Sequence, residues 1–140
     1  MSGILTLHVL ASLLCALLLG GMVFFTFVVT PTVFRRLEQP ARGAFLEAIL
    51  PVYYRVMGLL ALAAALPVWY RSEAWILFAV GIGFVVADRL LRPRIARHRP
   101  GRERGEPAAT AAFRRLHGAS MVLNLAQLVL VLGVFLRLAR

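Results

Sequence analysis

ILTLHVLASLLCALLLGGMVFFTFVV, residues 4–29, holds no charged side chain, and none occurs anywhere in residues 1–34. As an α-helix rising 1.5 Å per residue it reaches about 39 Å, enough to cross a hydrocarbon layer of about 30 Å with some tilt. A secretory leader has a basic start, a shorter apolar run and a small-residue cleavage site, and this stretch has none of these. Cys15 follows Leu13-Leu14 rather than a small residue, which speaks against lipoprotein processing. Pro31 is read as the exit of this first helix.

Three more apolar runs follow, over 52–70, 74–91 and 116–136. Hydrophobic residues make up 61% of the 140 residues, against roughly 45–50% in a soluble domain. So small a soluble globule would leave much of that surface wet. The expected fold is therefore all-α, a single integral membrane four-helix bundle over residues 1–140, with lipid as the solvent for its outer faces. One cysteine cannot close an internal disulfide, so the redox compartment is unreadable.

The formal charge of +10 comes from sixteen arginines and six acids. In a soluble chain it would suggest nucleic acid. Here the arginines cluster between apolar runs, so they are read as orienting the protein, and no nucleic-acid partner is expected. Arg35, Arg36 and Arg42 lie in the first connection and nine arginines in 89–115, against Arg71, Arg137 and Arg140 on the other side. The positive-inside rule then places both termini outside and both long connections in the cytoplasm. The second half of 35–47 reads as a short interfacial helix ending before Pro51. Trp69 to Trp75 reads as a tight hairpin with aromatics at the membrane interface, and Tyr53-Tyr54 as the opposite aromatic belt. Residues 92–115, with Pro93, Pro100, Gly101, Gly105 and Pro107, read as a mobile basic loop meeting anionic lipid headgroups. Asp88 and Arg89 are expected at the interface, and Arg55, one turn inside, to snorkel.

Small residues let helices approach closely in lipid. His8, Ser12, Ala16 and Gly20 recur every fourth residue on the first helix, and Ala79, Gly83 and Ala87 on the third, which makes these stripes candidate partners. The fourth helix carries His117, Ser120, Asn124 and Gln127 within about 80° of arc, and polar groups at that depth should face the bundle. Two readings stay open: hydrogen bonds that hold the helices together, or a polar cleft for a ligand, ion or proton. His8 and His117 differ in depth by roughly 20 Å or more and cannot share a metal. Met22, Met57 and Met121 are either core filler or soft ligands, so a metal site is undetermined, and no cofactor is expected.

No CxxC, HExxH, GxSxG or glycine-rich phosphate loop is present, and the acids are few and peripheral. The chain reads as non-enzymatic. Three clusters carry a resemblance. They are Gly20-Gly21-Met22 through Phe24-Phe25 and Phe27-Val28-Val29 to Pro31 and Phe34; Leu50-Pro51-Val52-Tyr53-Tyr54; and Arg115-Leu116-His117-Gly118-Ala119-Ser120 with Leu123-Asn124-Leu125. In this order they resemble the transmembrane protein 205-like family, DUF4149. The first helix is also distantly similar to copper resistance D and HemJ-type haem-pathway membrane proteins. The resemblance implies a four-helix membrane architecture and motif residues Gly21, Pro31, Phe34, Pro51, Tyr54, Arg115, His117, Ser120 and Asn124. With Gln127 these suggest a polar site on the cytoplasmic side, formed by Arg115, His117, Ser120 and Asn124 and capped by turns at Pro31–Phe34 and Pro51–Tyr54. The expected role is a binding, scaffold or transport-accessory module in the bacterial inner membrane, as a homo-oligomer or with a membrane protein partner. The alternatives are an oligomeric transporter or efflux component, and a haem- or copper-binding protein.

Overall fold

A computed structural model describes residues 2–140, and every regular element among them is helical. The long helices are α1 (Gly3–Arg36), α2 (Ala41–Val68), α3 (Ser72–Glu103) and α4 (Pro107–Leu138), each long and apolar enough to cross a membrane. Their 34, 28, 32 and 32 residues correspond to about 51, 42, 48 and 48 Å, well beyond a hydrocarbon thickness of about 30 Å. The surplus falls mainly at the end that carries most of the arginines.

The expected stops at proline are not stops. Pro31 lies inside α1, Pro51 inside α2, and Pro93 and Pro100 inside α3. Proline removes one N–H and crowds the carbonyl four residues earlier. At Pro31 and Pro93 the chain absorbs this with a widened π-helical turn, Phe25–Val29 and Ala87–Leu91, each ending two residues before the proline. The Thr30 hydroxyl donates to the Phe25 carbonyl at 3.0 Å, beside the Thr30 backbone N–H that closes the first of these turns. The helix then continues in both cases.

The basic segment 92–115 is accordingly not a mobile loop. Arg92–Glu103 extends α3 and Pro107 begins α4, leaving a turn at 104–106 in which Gly105 takes φ 77°. Arginine is a good helix former, and Pro107 sits in the first turn of α4, where proline is tolerated. The interfacial helix expected to end before Pro51 is likewise continuous with α2.

Short connections make sequence neighbours spatial neighbours. α1 packs on α2 and α4, and α3 packs on the same two. The stripes of α1 and α3 therefore lie across the diagonal and are not partners. Gly20 and Ala79 are exposed, and the buried edge of α1 is Ala11, Cys15, Leu18 and Met22. The close approach is between α2 and α3: a Cβ on Gly81 would lie 2.9 Å from Leu62 Cδ2 and 3.6 Å from the Gly58 carbonyl oxygen. At the terminal end the His8 ring nitrogen Nε2 is 2.6 Å from the Leu138 carbonyl oxygen, tying α1 to the last turn of α4. Trp69 and Trp75 are exposed around the α2–α3 turn, as an interfacial aromatic pair requires.

Gly83 offers a sharp packing test. A Cβ there would fall 2.6 Å from Gln127 Nε2, the nitrogen that donates to the Val80 carbonyl at 2.9 Å. Gly83→Ala must displace that amide, and stability in mixed micelles, followed by helical circular dichroism, should fall by about 1–3 kcal/mol. Gly20→Ala meets open space and should be neutral or stabilising by up to about 1 kcal/mol.

Candidate functional site

Two polar clusters occupy the bundle. In the first, Thr26, Tyr53 and Asn124 join three helices. The Tyr53 hydroxyl donates to Asn124 Oδ1 at 3.1 Å, and Asn124 Nδ2 donates to Thr26 Oγ1 at 3.0 Å. Thr26 lies on the π turn ahead of Pro31. The Tyr53 ring stacks on Phe25 at 4.0 Å and meets Phe84 of α3 edge-on at 5.9 Å. One turn from Asn124, Gln127 ties α4 to α3 through the Val80 carbonyl. Among the described residues no buried side-chain nitrogen or oxygen lacks a partner, the condition a bilayer interior imposes on polar groups.

The second cluster centres on Asp88, in the π turn of α3. The wider turn sets two consecutive residues, Ala87 and Asp88, against the bundle. Arg92 donates from Nε to Asp88 Oδ1 at 3.1 Å. Arg55 Nε of α2 and Arg89 Nε lie 3.5 and 3.7 Å from Oδ2. The carboxylate is 6% exposed, while the Arg55 and Arg89 side chains are 63% and 74% exposed. Asp88 follows Ser72 by sixteen residues, about 24 Å of helix, which sets it near one edge of the hydrocarbon layer.

The family described as "Domain of unknown function (DUF4149)" matches residues 13–104. The chain belongs to the DUF4149 family. It is also 30% identical over 133 residues to a protein of Aquifex aeolicus (strain VF5) described as an uncharacterized protein, covering 89% of this chain and 90% of that relative. No solved structure matches. With its four membrane-spanning helices, this DUF4149 chain is a multi-pass membrane protein. The matched segment contains Thr26, Tyr53, Tyr54 and the whole Asp88 cluster.

The candidate residues read from the DUF4149 chain's sequence divide into two groups. Ser120, Asn124 and Gln127 face the bundle. Arg115 and His117 do not: both are exposed, and the His117 ring lies flat on Phe113, 5.9 Å away and one turn earlier. His117 shares the helical face of Asn124, but at its level the neighbour is the arginine-bearing end of α3, where Arg102 sits 4.4 Å over the Phe113 ring. The expected capping turns are helix. Pro31, Phe34, Pro51 and Tyr54 are all helical, and Phe34 is exposed with Arg42 over its ring at 5.0 Å. Gly21 is a contact point, since a Cβ there would meet Met57 Cε at 2.7 Å. Tyr53 is buried rather than part of a belt. Met22 and Met57 are core, and Met121 is exposed.

The Asp88 cluster and Thr26 escaped the sequence reading. The available signals were Arg55 inside an apolar span, a carboxylate four residues before Arg92, and a single hydroxyl in Phe24-Phe25-Thr26-Phe27. An ionisable group within a span is a functional hypothesis by default.

Proposed function

We propose that this protein is a non-enzymatic binding and scaffold module of the bacterial inner membrane, with both termini outside and a helical cationic platform in the cytoplasm. The platform engages anionic lipid headgroups. The observation that carries the reading is that the arginines of 89–115 sit on braced helices. Arg99 is ion-paired with Glu47 of α2. Gly101 is buried where a Cβ would lie 2.5 Å from Ala109 Cβ of α4. Arg102 covers Phe113 of α4. The end of α3 is thus tied to both neighbours, and Arg94, Arg97, Arg114 and Arg115 are left exposed. Each arginine near an anionic surface contributes about 1 kcal/mol, and presentation from ordered helices lowers the ordering cost of binding.

The closed polar core favours a scaffold over a conduction path, because its donors and acceptors are spent on one another. The direct test uses nanodiscs of mixed phosphatidylcholine and phosphatidylglycerol. Lipid that copurifies after mild delipidation should be enriched in phosphatidylglycerol. A variant with Arg94, Arg97, Arg114 and Arg115 changed to Gln should lose most of the enrichment. Equal retention of both lipids by the unaltered protein contradicts the proposal.

A further inference from the structure

The Asp88 cluster has an imbalance that the fold alone does not require. One buried carboxylate faces three guanidinium groups, a surplus of two positive charges at one point. The remaining acid near this end with a defined ion-pair partner across helices, Glu47, is engaged by Arg99. In each contact with Asp88 the nitrogen facing the carboxylate is Nε. A guanidinium held by its Nε side still presents its paired Nη edge elsewhere, and that edge matches two oxygens of a phosphate. The Arg55 and Arg89 side chains are largely exposed, whereas Arg92 is two-thirds covered. The arginines come from two helices, α2 and α3, so the spacing between them is set by the bundle.

We propose that Asp88 gathers Arg55, Arg89 and Arg92 into a binding site for one phosphate group at the arginine-rich end of the bundle. Asp88 positions the three side chains and does not touch the ligand. The phosphate supplies the missing negative charge. Its source is a phosphodiester lipid headgroup or a free phosphate, since both offer the same oxygens to the same edge. The site refines the headgroup-binding reading above, but it is separate from the platform arginines, so the two can fail independently.

Native mass spectrometry of the protein released from phosphatidylglycerol-containing nanodiscs tests this. A single tightly held lipid adduct is expected. Its occupancy should fall about tenfold or more in Arg55→Gln/Arg92→Gln, the scale of losing charge-assisted hydrogen bonds. It should survive in the platform variant that changes Arg94, Arg97, Arg114 and Arg115. The informative variant is Arg55→Lys/Arg92→Lys. It keeps the charge, but an ammonium spent on Asp88 has no second planar edge, so the adduct should be lost as with Gln. Circular dichroism confirms that each variant is folded. In parallel, delipidated protein is titrated with inorganic phosphate and followed by phosphorus NMR. Lipid adduct without phosphate binding assigns a headgroup site, and saturable phosphate binding lost in the Lys variant assigns a free-phosphate site. Full retention of binding in the Lys variant, or no binding of either probe, overturns the proposal. Loss of lipid only in the platform variant overturns it while leaving the platform reading intact.

Discussion

Asn124→Leu should lower the stability of the bundle by about 1–3 kcal/mol. Leucine has the same branching and heavy-atom count as asparagine but is bulkier, so some overpacking adds to the loss of hydrogen bonding. Two bonds vanish, from Tyr53 and to Thr26. Interhelical hydrogen bonds in membranes are worth about 0.6 kcal/mol on average and up to about 1.7. Two hydroxyls are then left without their partner in an apolar surround, which adds to the loss. Unfolding in mixed micelles of increasing sodium dodecyl sulfate, followed by circular dichroism, reads the change. A second variant separates the bonds from the orphaned groups. Thr26→Val/Tyr53→Phe/Asn124→Leu removes every partner at once and should recover part of the loss, because no hydroxyl is stranded. If Asn124→Leu is neutral, the cluster does not knit the helices.

Phe84→Ala carries a loss at least as large by a different route. Phe84 is 1% exposed, the largest of the fully buried side chains, and its ring meets Tyr53 and Tyr54 at 5.9 and 6.4 Å. In a soluble core such a truncation costs about 3–5 kcal/mol. In lipid the share due to transfer from water shrinks, because acyl chains are as apolar as the core. What remains is lost contact around a cavity of roughly 100 Å³, about 2.4 kcal/mol at 24 cal/mol per Å³. An expected loss of about 2–4 kcal/mol follows in the same assay. A truncation of lipid-facing Val85, 55% exposed, to alanine should stay within about 0.5 kcal/mol. Equal effects at the two neighbours would contradict the packing described here.

The four apolar runs made the helix count and the lipid environment readable, because hydrophobicity over a 20-residue window is a summed and therefore strong signal. Proline positions were misleading. Pro31, Pro51, Pro93 and Pro100 are breakers by local preference, but the helices run through all four, with widened turns ahead of Pro31 and Pro93. The inward direction of Ser120, Asn124 and Gln127 followed from helical periodicity and the cost of polar groups in lipid. Periodicity extended that face to His117 too, because it cannot register where the surrounding helices change. Helix partners were not readable either. Ala and Gly are abundant on several faces of this chain, so small-residue stripes at four-residue spacing occur without a partner. Asp88 does lie near the expected edge of the layer, but its role as a centre was not legible, because Arg55 reaches it only through the α2–α3 contact, which leaves no local sequence mark. The buried Tyr53 shows the same limit, since an aromatic at the end of an apolar run suits a belt and a core equally well.

Lipid, not water, covers the exposed apolar faces of these four helices. Leu13, Leu59, Val85 and Val129, one on each helix, are 59%, 67%, 55% and 62% exposed. A spin label placed at each in turn in a Cys15→Ala background, in reconstituted vesicles, reports collision rates with oxygen and with a water-soluble nickel chelate. High oxygen and low nickel accessibility is expected at all four, and the reverse at Arg94 and Ala108. Nickel accessibility at Leu13, Leu59, Val85 and Val129 equal to that at Arg94 would contradict it.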